Sequence, residues 1–216
     1  MINNPYRLKL SNSIKLIVKF IQVVNVKLIA KVLLCGDGSV GKTAIRERFL
    51  GKGFQSNYMM TIGADFAVKE IQGTSSDNEP YSIKCSIWDL SGQTNFKDVR
   101  SIYYKGSHAI IMVYDTSNRV SYNNINNWFE EIKKHTQINN LCMVLIGNKK
   151  DLRQEGNPNH IPYNEGLAKS KDIATTVYDN KWEVPFIETS ALTGENISEA
   201  FDKLGQIFVD IKRKME

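Results

Sequence analysis

Eight consecutive residues, Gly36-Asp37-Gly38-Ser39-Val40-Gly41-Lys42-Thr43, constrain this chain more than any other stretch. They follow an apolar, β-branched run, Lys27 to Leu34, and open into a helix-like segment, Ala44 to Leu50. Their spacing matches the phosphate-loop pattern G-x-x-x-x-G-K-S/T. Bare backbone at Gly36, Gly38 and Gly41 lets successive N–H groups turn inward around phosphate oxygens. A helix starting near Lys42 adds its N-terminal dipole and unpaired N–H groups. Lys42 brings a point charge for the outer phosphates, and the Thr43 hydroxyl is placed to ligate Mg2+. A glycine-rich turn with no ligand would not need Gly-Lys-Thr in register behind a buried strand.

At 216 residues the chain makes one domain of ordinary size with some extra, or at most two small ones. Its 42% apolar and 24% charged content fits a soluble globular protein. No uninterrupted apolar run reaches the ~18 residues that a membrane helix needs. Cys35, Cys85 and Cys142 fall in or at the ends of apolar, strand-like runs. Their odd number and wide spacing argue against a disulfide framework or a metal cluster and fit a reducing, cytoplasmic setting. His108, His135 and His160 show no ligand spacing. The net charge of +5 is unevenly placed: residues 1–36 hold Arg7, Lys9, Lys15, Lys19, Lys27 and Lys31 and no acid. The rest of the chain is close to neutral, which gives a nucleic-acid-binding reading little support.

Residues 1–26 read as a basic amphipathic extension ahead of the main domain, 27–216. Between Ser11 and Val26 the polar positions Asn12, Lys15, Lys19, Gln22 and Asn25 fall three or four apart, the helical period. Ile14, Ile17, Val18, Phe20, Ile21 and Val24 fill the positions between. Three readings stay open: packing against the domain, peripheral contact with an anionic membrane surface, or a targeting peptide. Ile2 excludes N-myristoylation.

From Lys27 strand and helix signals alternate. Strands are expected at Lys27–Leu34, Gly63–Ile71, Tyr81–Asp89, Ala109–Tyr114, Leu141–Ile146 and Val184–Ile187, the second and third joined as a hairpin by the polar turn Gly73 to Pro80. Helices are expected after the phosphate loop, around Ile125, Trp128, Phe129 and Ile132, over Glu165–Val177, and from Ile197 to about Arg213. The pattern predicts an α/β fold of the P-loop NTPase type. It has a six-stranded, mostly parallel sheet with one antiparallel edge strand and about five flanking helices. In such sheets ligands sit at the carboxyl ends of the strands, and the remaining motifs fall there. Asp89, in Trp88-Asp89-Leu90-Ser91-Gly92-Gln93, ends an apolar strand and suits a Mg2+ site facing the phosphate loop. Asn148-Lys149-Lys150-Asp151 follows another strand, and the Asp151 carboxylate can accept two N–H bonds from a guanine edge. Glu188-Thr189-Ser190-Ala191 closes the next, where the Ala191 N–H can meet the guanine carbonyl.

With these elements in order, the chain from about Lys27 to Met215 resembles the small GTPases of the Ras superfamily, nearest the Rab branch. Phe54, Tyr58, Thr61-Ile62-Gly63-Ala64-Asp65-Phe66, Ile87-Trp88-Asp89, Tyr103-Tyr104-Lys105-Gly106 and Met112-Val113-Tyr114-Asp115 carry the Rab likeness. The resemblance implies that Thr61 joins Thr43 and Asp89 at Mg2+ and meets the γ-phosphate. It implies that Gly92 offers its N–H to that phosphate, that Gln93 orients the attacking water, and that Lys42, Thr61, Gly92 and Gln93 together serve hydrolysis. Phe54 and the Lys149 stem would flank the base. Ala44, Tyr58, Leu152, Ser190 and Leu192 would complete the nucleotide site. Implied partners are effector, exchange-factor and GTPase-activating proteins, the last favoured by the room that Gly38 leaves beside the γ-phosphate. Departures from the pattern are Leu90 and Ser91, where Thr and Ala are usual, and Thr94-Asn95, where Glu-Arg is usual. The sequence closes on Lys212-Arg213-Lys214-Met215-Glu216 without a cysteine, so prenylation is not expected. The leading expectation is a GTP-hydrolysing switch. A scaffold that holds GTP or GDP without turnover is the rival that Ser91, Thr94 and Asn95 allow. An ATPase or nucleotide kinase fails on Asp151 and Ala191.

Overall fold

The computed structural model describes residues 27–54, 60–154, 156–179 and 181–215; the extension 1–26 and Tyr58 lie outside the described residues. One six-stranded sheet has the order β2-β3-β1-β4-β5-β6. Strand β1 (Lys27–Cys35) pairs in parallel with β3 (Pro80–Leu90) and with β4 (Ala109–Asp115). Beyond β4 come β5 (Cys142–Asn148) and β6 (Phe186–Glu188), both parallel. The edge strand β2 (Ala64–Thr74) runs antiparallel to β3. Every residue of β4 and β5 is buried, which explains their unbroken apolar runs: helices cover both faces. The exposed and buried residues of β3 alternate instead, because one of its faces meets the core and the other does not.

Six α-helices flank the sheet among the described residues. They are α1 (Lys42–Phe49), α2 (Lys97–Tyr104), α3 (Arg119–Asn123), α4 (Ile125–His135), α5 (Tyr163–Tyr178) and α6 (Ile197–Met215). Asn124 separates α3 from α4, so the two read as one bent helix and the flanking set as five. The Asn118 side chain caps α3 by accepting from the Val120 and Ser121 N–H groups. Helices α1 and α6 share one face of the sheet, where Phe49 stacks on Phe201 with ring centroids 3.7 Å apart. The stretch between Gln93 and Ala109, for which the sequence reading names no element, holds α2. Its apolar Val99 and Ile102 are exposed while Arg100 and Tyr104 are buried, so its inward face is not apolar in sequence.

On the opposite face of β2 and β3 no helix among the described residues covers the strands' centre, and among those residues Phe66, Val68 and Ile29 are exposed. Phe66 stacks on Trp88 at 4.7 Å, and Trp88 meets Tyr103 at 5.7 Å, making an open aromatic patch. The chain leaves β1 toward one side of the sheet and leaves β3 toward the other. The crevice this creates lies beyond their carboxyl ends, where Gly36–Thr43 and Asp89–Gln93 meet.

Candidate functional site

The turn out of β1 is held by its own lysine. Lys42 is 6% exposed, and its Nζ donates to the carbonyls of Gly36 and Asp37, both at 2.7 Å. Burial drives its pKa down to about 8, against the opposing charges of Asp89 and Asp37. Gly41 has φ +100, and a Cβ there would lie 2.3 Å from Asn148 Nδ2, so neither the conformation nor the space admits a side chain. A Cβ on Gly38 meets nothing within 4 Å, which agrees with open room at that corner. The Asp37 carboxylate accepts from Asn124 Nδ2 at 2.7 Å and from Trp128 Nε1 at 2.8 Å, tying the turn to α4.

Three oxygen-bearing side chains from three segments converge beneath this turn. Thr43 Oγ1 donates to Asp89 Oδ2 at 2.5 Å, Thr61 Oγ1 donates to the same oxygen at 3.1 Å, and the two hydroxyls are 3.1 Å apart. Asp89 is 1% exposed, and its buried Oδ1 has no hydrogen-bond partner among the described residues. An orphaned carboxylate oxygen beside two hydroxyls is a hard-oxygen donor set, the kind that suits Mg2+. Among the described residues no cluster of His, Cys, Asp and Glu forms a rival metal centre.

Next to these groups lies the loop bearing Gln93. Gly92 packs so closely on the phosphate-loop turn that a Cβ would stand 2.3 Å from Gly38 N. Gln93 Nε2 donates to Met60 Sδ at 3.1 Å. Arg100 holds the loop from below, donating to the carbonyls of Ser91 at 3.1 Å and Gln93 at 2.7 Å. The other edge of its guanidinium makes a two-pronged pair with Glu131, at 2.9 and 3.0 Å, and its plane lies over Trp128 at 4.3 Å. Tyr104 donates to the same Glu131 carboxylate at 2.8 Å. Sequence reasoning missed Arg100 and Glu131; the available signal was a carboxylate on the otherwise apolar Trp128–Ile132 face.

On the far side, Asn148 is a clasp. Its Nδ2 donates to Val40 O at 2.9 Å, while its Oδ1 accepts from Thr189 Oγ1 at 3.0 Å and from the Ala191 N–H at 3.1 Å. The Ala191 N–H expected to face a base therefore bonds within the protein here. Lys149 takes φ 63, and its Nζ pairs with Asp115 Oδ2 at 2.7 Å, aligning its stem along the rim. Asp151 and Leu152 are exposed beside it, as is Leu192 across the rim; Ser190 and Ala191 are buried. Arg48, on α1 with Ala44, donates to Ala191 O at 2.8 Å and also to Leu192 O. Phe54 is exposed, and Tyr58 lies outside the described residues.

A phosphate-loop turn, a hard-oxygen metal set and a polar rim at the carboxyl ends of a parallel sheet define a P-loop nucleotide-binding protein. Comparison with known proteins narrows the class. The profile of the Ras family matches residues 31–209. The Ras-related protein RABD2a of Arabidopsis thaliana is 36% identical over 171 residues, 79% of this chain and 75% of that protein. RABD1 of the same plant is 35% identical over 188 residues, 86% and 80% of the two chains. The GTP-binding protein YPTM2 of Zea mays is 34% identical over 174 residues, 79% and 75%. The chain belongs to the Ras family, near its Rab-related members, and is a small GTPase that works as a GTP-binding switch.

Proposed function

We propose that the cleft binds guanine nucleotide with Mg2+ and hydrolyses GTP in a cycle that serves vesicle traffic or signalling. The observation that carries this reading is the convergence of Thr43, Thr61 and Asp89 under the Gly36–Thr43 turn. Backbone N–H groups from Gly36, Asp37, Gly38, Ser39, Val40 and Gly41 would cradle the phosphates. Lys42 would exchange its two carbonyl partners for phosphate oxygens. Thr43 and Thr61, with Asp89 behind them, would hold Mg2+, which neutralises charge on the phosphoryl oxygens. Gln93 would orient a water whose oxygen attacks the γ-phosphorus as the bond to the β–γ bridging oxygen breaks, releasing GDP and phosphate. The Gly92 N–H would report the γ-phosphate. Asp151 would select guanine, with Lys149 and Phe54 flanking the base and Tyr58, Leu152, Ser190, Ala191 and Leu192 completing the rim. Thr61 lies just ahead of β2, so a change in its ligands reaches the Phe66–Trp88–Tyr103 patch. That patch is the surface an effector would read, while exchange and activating proteins would act on the loops.

Single-turnover phosphate release from GTP-loaded protein tests the reading. Release should depend on Mg2+, stop on chelation, and slow by about 10²-fold or more in Gln93→Leu. GTP retained intact by the wild type in Mg2+ would instead favour a nucleotide-holding scaffold.

A further inference from the structure

Away from the nucleotide cleft, a groove runs along β6, the strand at one edge of the sheet. Helices α5 and α6 flank it, and its cavity holds about 680 Å3. Leu167 on α5, Ile207 on α6, and Trp182 and Pro185 ahead of β6 line it, and all four are only partly buried. Apolar side chains left half-wet around a concave space gain free energy when an apolar partner covers them. The charged lining holds three acids, Glu183, Glu199 and Asp210, against Lys171 and Lys203. Glu183 and Glu199 have no ion-pair partner among the described residues. Ser76, in the β2–β3 turn, closes one end by donating its N–H to Asp210 Oδ1 at 3.2 Å.

The chain carries a segment of matching chemistry within reach. Residues 1–26 join the fold where β1 begins, at Lys27. In the sheet order β1 and β6 are three strand spacings apart, about 14 Å. Residues 22–26 can span at most about 17 Å, so Ile21 and the residues before it can reach the groove. Ile14, Ile17, Val18 and Ile21 recur at i, i+3, i+4 and i+7, the spacing of a helix that lays one apolar face into a groove. Lys15 and Lys19, four apart, follow one flank of that face, and residues 1–26 hold no acid. So short a tether gives an effective concentration in the millimolar range, which a separate protein would have to match. We infer that residues 14–21 dock as a helix in the α5–α6 groove of their own chain. Ile14, Ile17, Val18 and Ile21 turn inward, and Lys15 and Lys19 meet Glu183 and Glu199. The docking is independent of what the cleft binds. While the extension is in place the groove is closed to other partners, and its release opens an apolar surface.

The test is the maleimide reactivity of Val18→Cys in the full chain, where Cys35, Cys85 and Cys142 are buried. Adding Ile14→Asp and Ile21→Asp should speed labelling about tenfold. Hydrogen exchange in residues 167–174 and 203–210 should quicken by a similar factor, with β4 unchanged. A variant on the groove itself, Glu183→Lys with Glu199→Lys, should raise the labelling rate severalfold; both acids are exposed, so the fold tolerates the change. Labelling that is equally fast with and without the aspartates overturns the inference, as does a rate indifferent to the two lysines. Exchange that quickens throughout the domain, or in neither segment, also overturns it, because the extension then packs elsewhere. Protection of the thiol that grows with protein concentration would assign the groove to a second copy's extension and sink the intramolecular reading. Protection that appears only on adding anionic vesicles would make the segment a membrane contact instead.

Discussion

Lys42 shows how one residue links burial to ligand affinity. Its pKa is lowered to about 8 in the protein, chiefly by burial, and phosphate groups beside it would raise that value again. A group whose pKa rises on binding takes up a proton as the ligand arrives, so affinity is full below the free-protein value and falls above it. GDP affinity should therefore be flat up to about pH 7 and weaken by up to about tenfold per unit above pH 8. Isothermal titration across that range checks it, and Lys42→Arg, which does not titrate there, should flatten the curve. The same proton linkage has the opposite sense for the empty fold. Between pH 8 and the ordinary lysine value of 10.5 the unfolded chain binds the extra proton, so Lys42 makes the fold more stable as pH rises through that window.

At the scale of elements, α2 and α4 form a clamp on the Gln93 loop through Arg100 and Glu131. Both members of the pair are buried, so removing one leaves an uncompensated charge. Arg100→Met should destabilise the protein by about 3 kcal/mol, measured by urea unfolding, and Glu131→Gln added to it should restore part of that loss. Single-turnover hydrolysis should fall in Arg100→Met, while GDP affinity changes little, because the phosphate and base contacts lie elsewhere. This clamp also marks where the sequence stops being legible. Strands β4 and β5 announce themselves because burial on both faces requires unbroken apolar runs, and β2–β3 because a polar turn separates two strand-like stretches. Helix α2 does not, since what it buries is an arginine and a tyrosine, both bonded to Glu131, 31 and 27 positions away. The phosphate turn and the metal set were readable because backbone geometry and ligand chemistry restrict residue type locally. The clasp that Asn148 makes was not, because it arises only when distant segments meet: its side chain reaches a carbonyl 108 residues away.

For the molecule as a whole, the open aromatic patch and the nucleotide cleft are joined by one continuously paired hairpin, β2–β3. No helix among the described residues is long and apolar enough to cross a membrane. The lysine-striped extension 1–26 has a membrane-surface reading that predicts sedimentation of the full chain with anionic liposomes and loss of sedimentation when residues 1–26 are removed. Equal behaviour of the two proteins would leave packing or targeting as its role. The Asn148 clasp has a further consequence for how nucleotide leaves. One side chain pins the phosphate turn at Val40 and the base-side turn at Ala191, as a rivet joins two plates. Opening either half of the cleft then strains a contact of the other, so a regulator that levers on one rim is expected to loosen both.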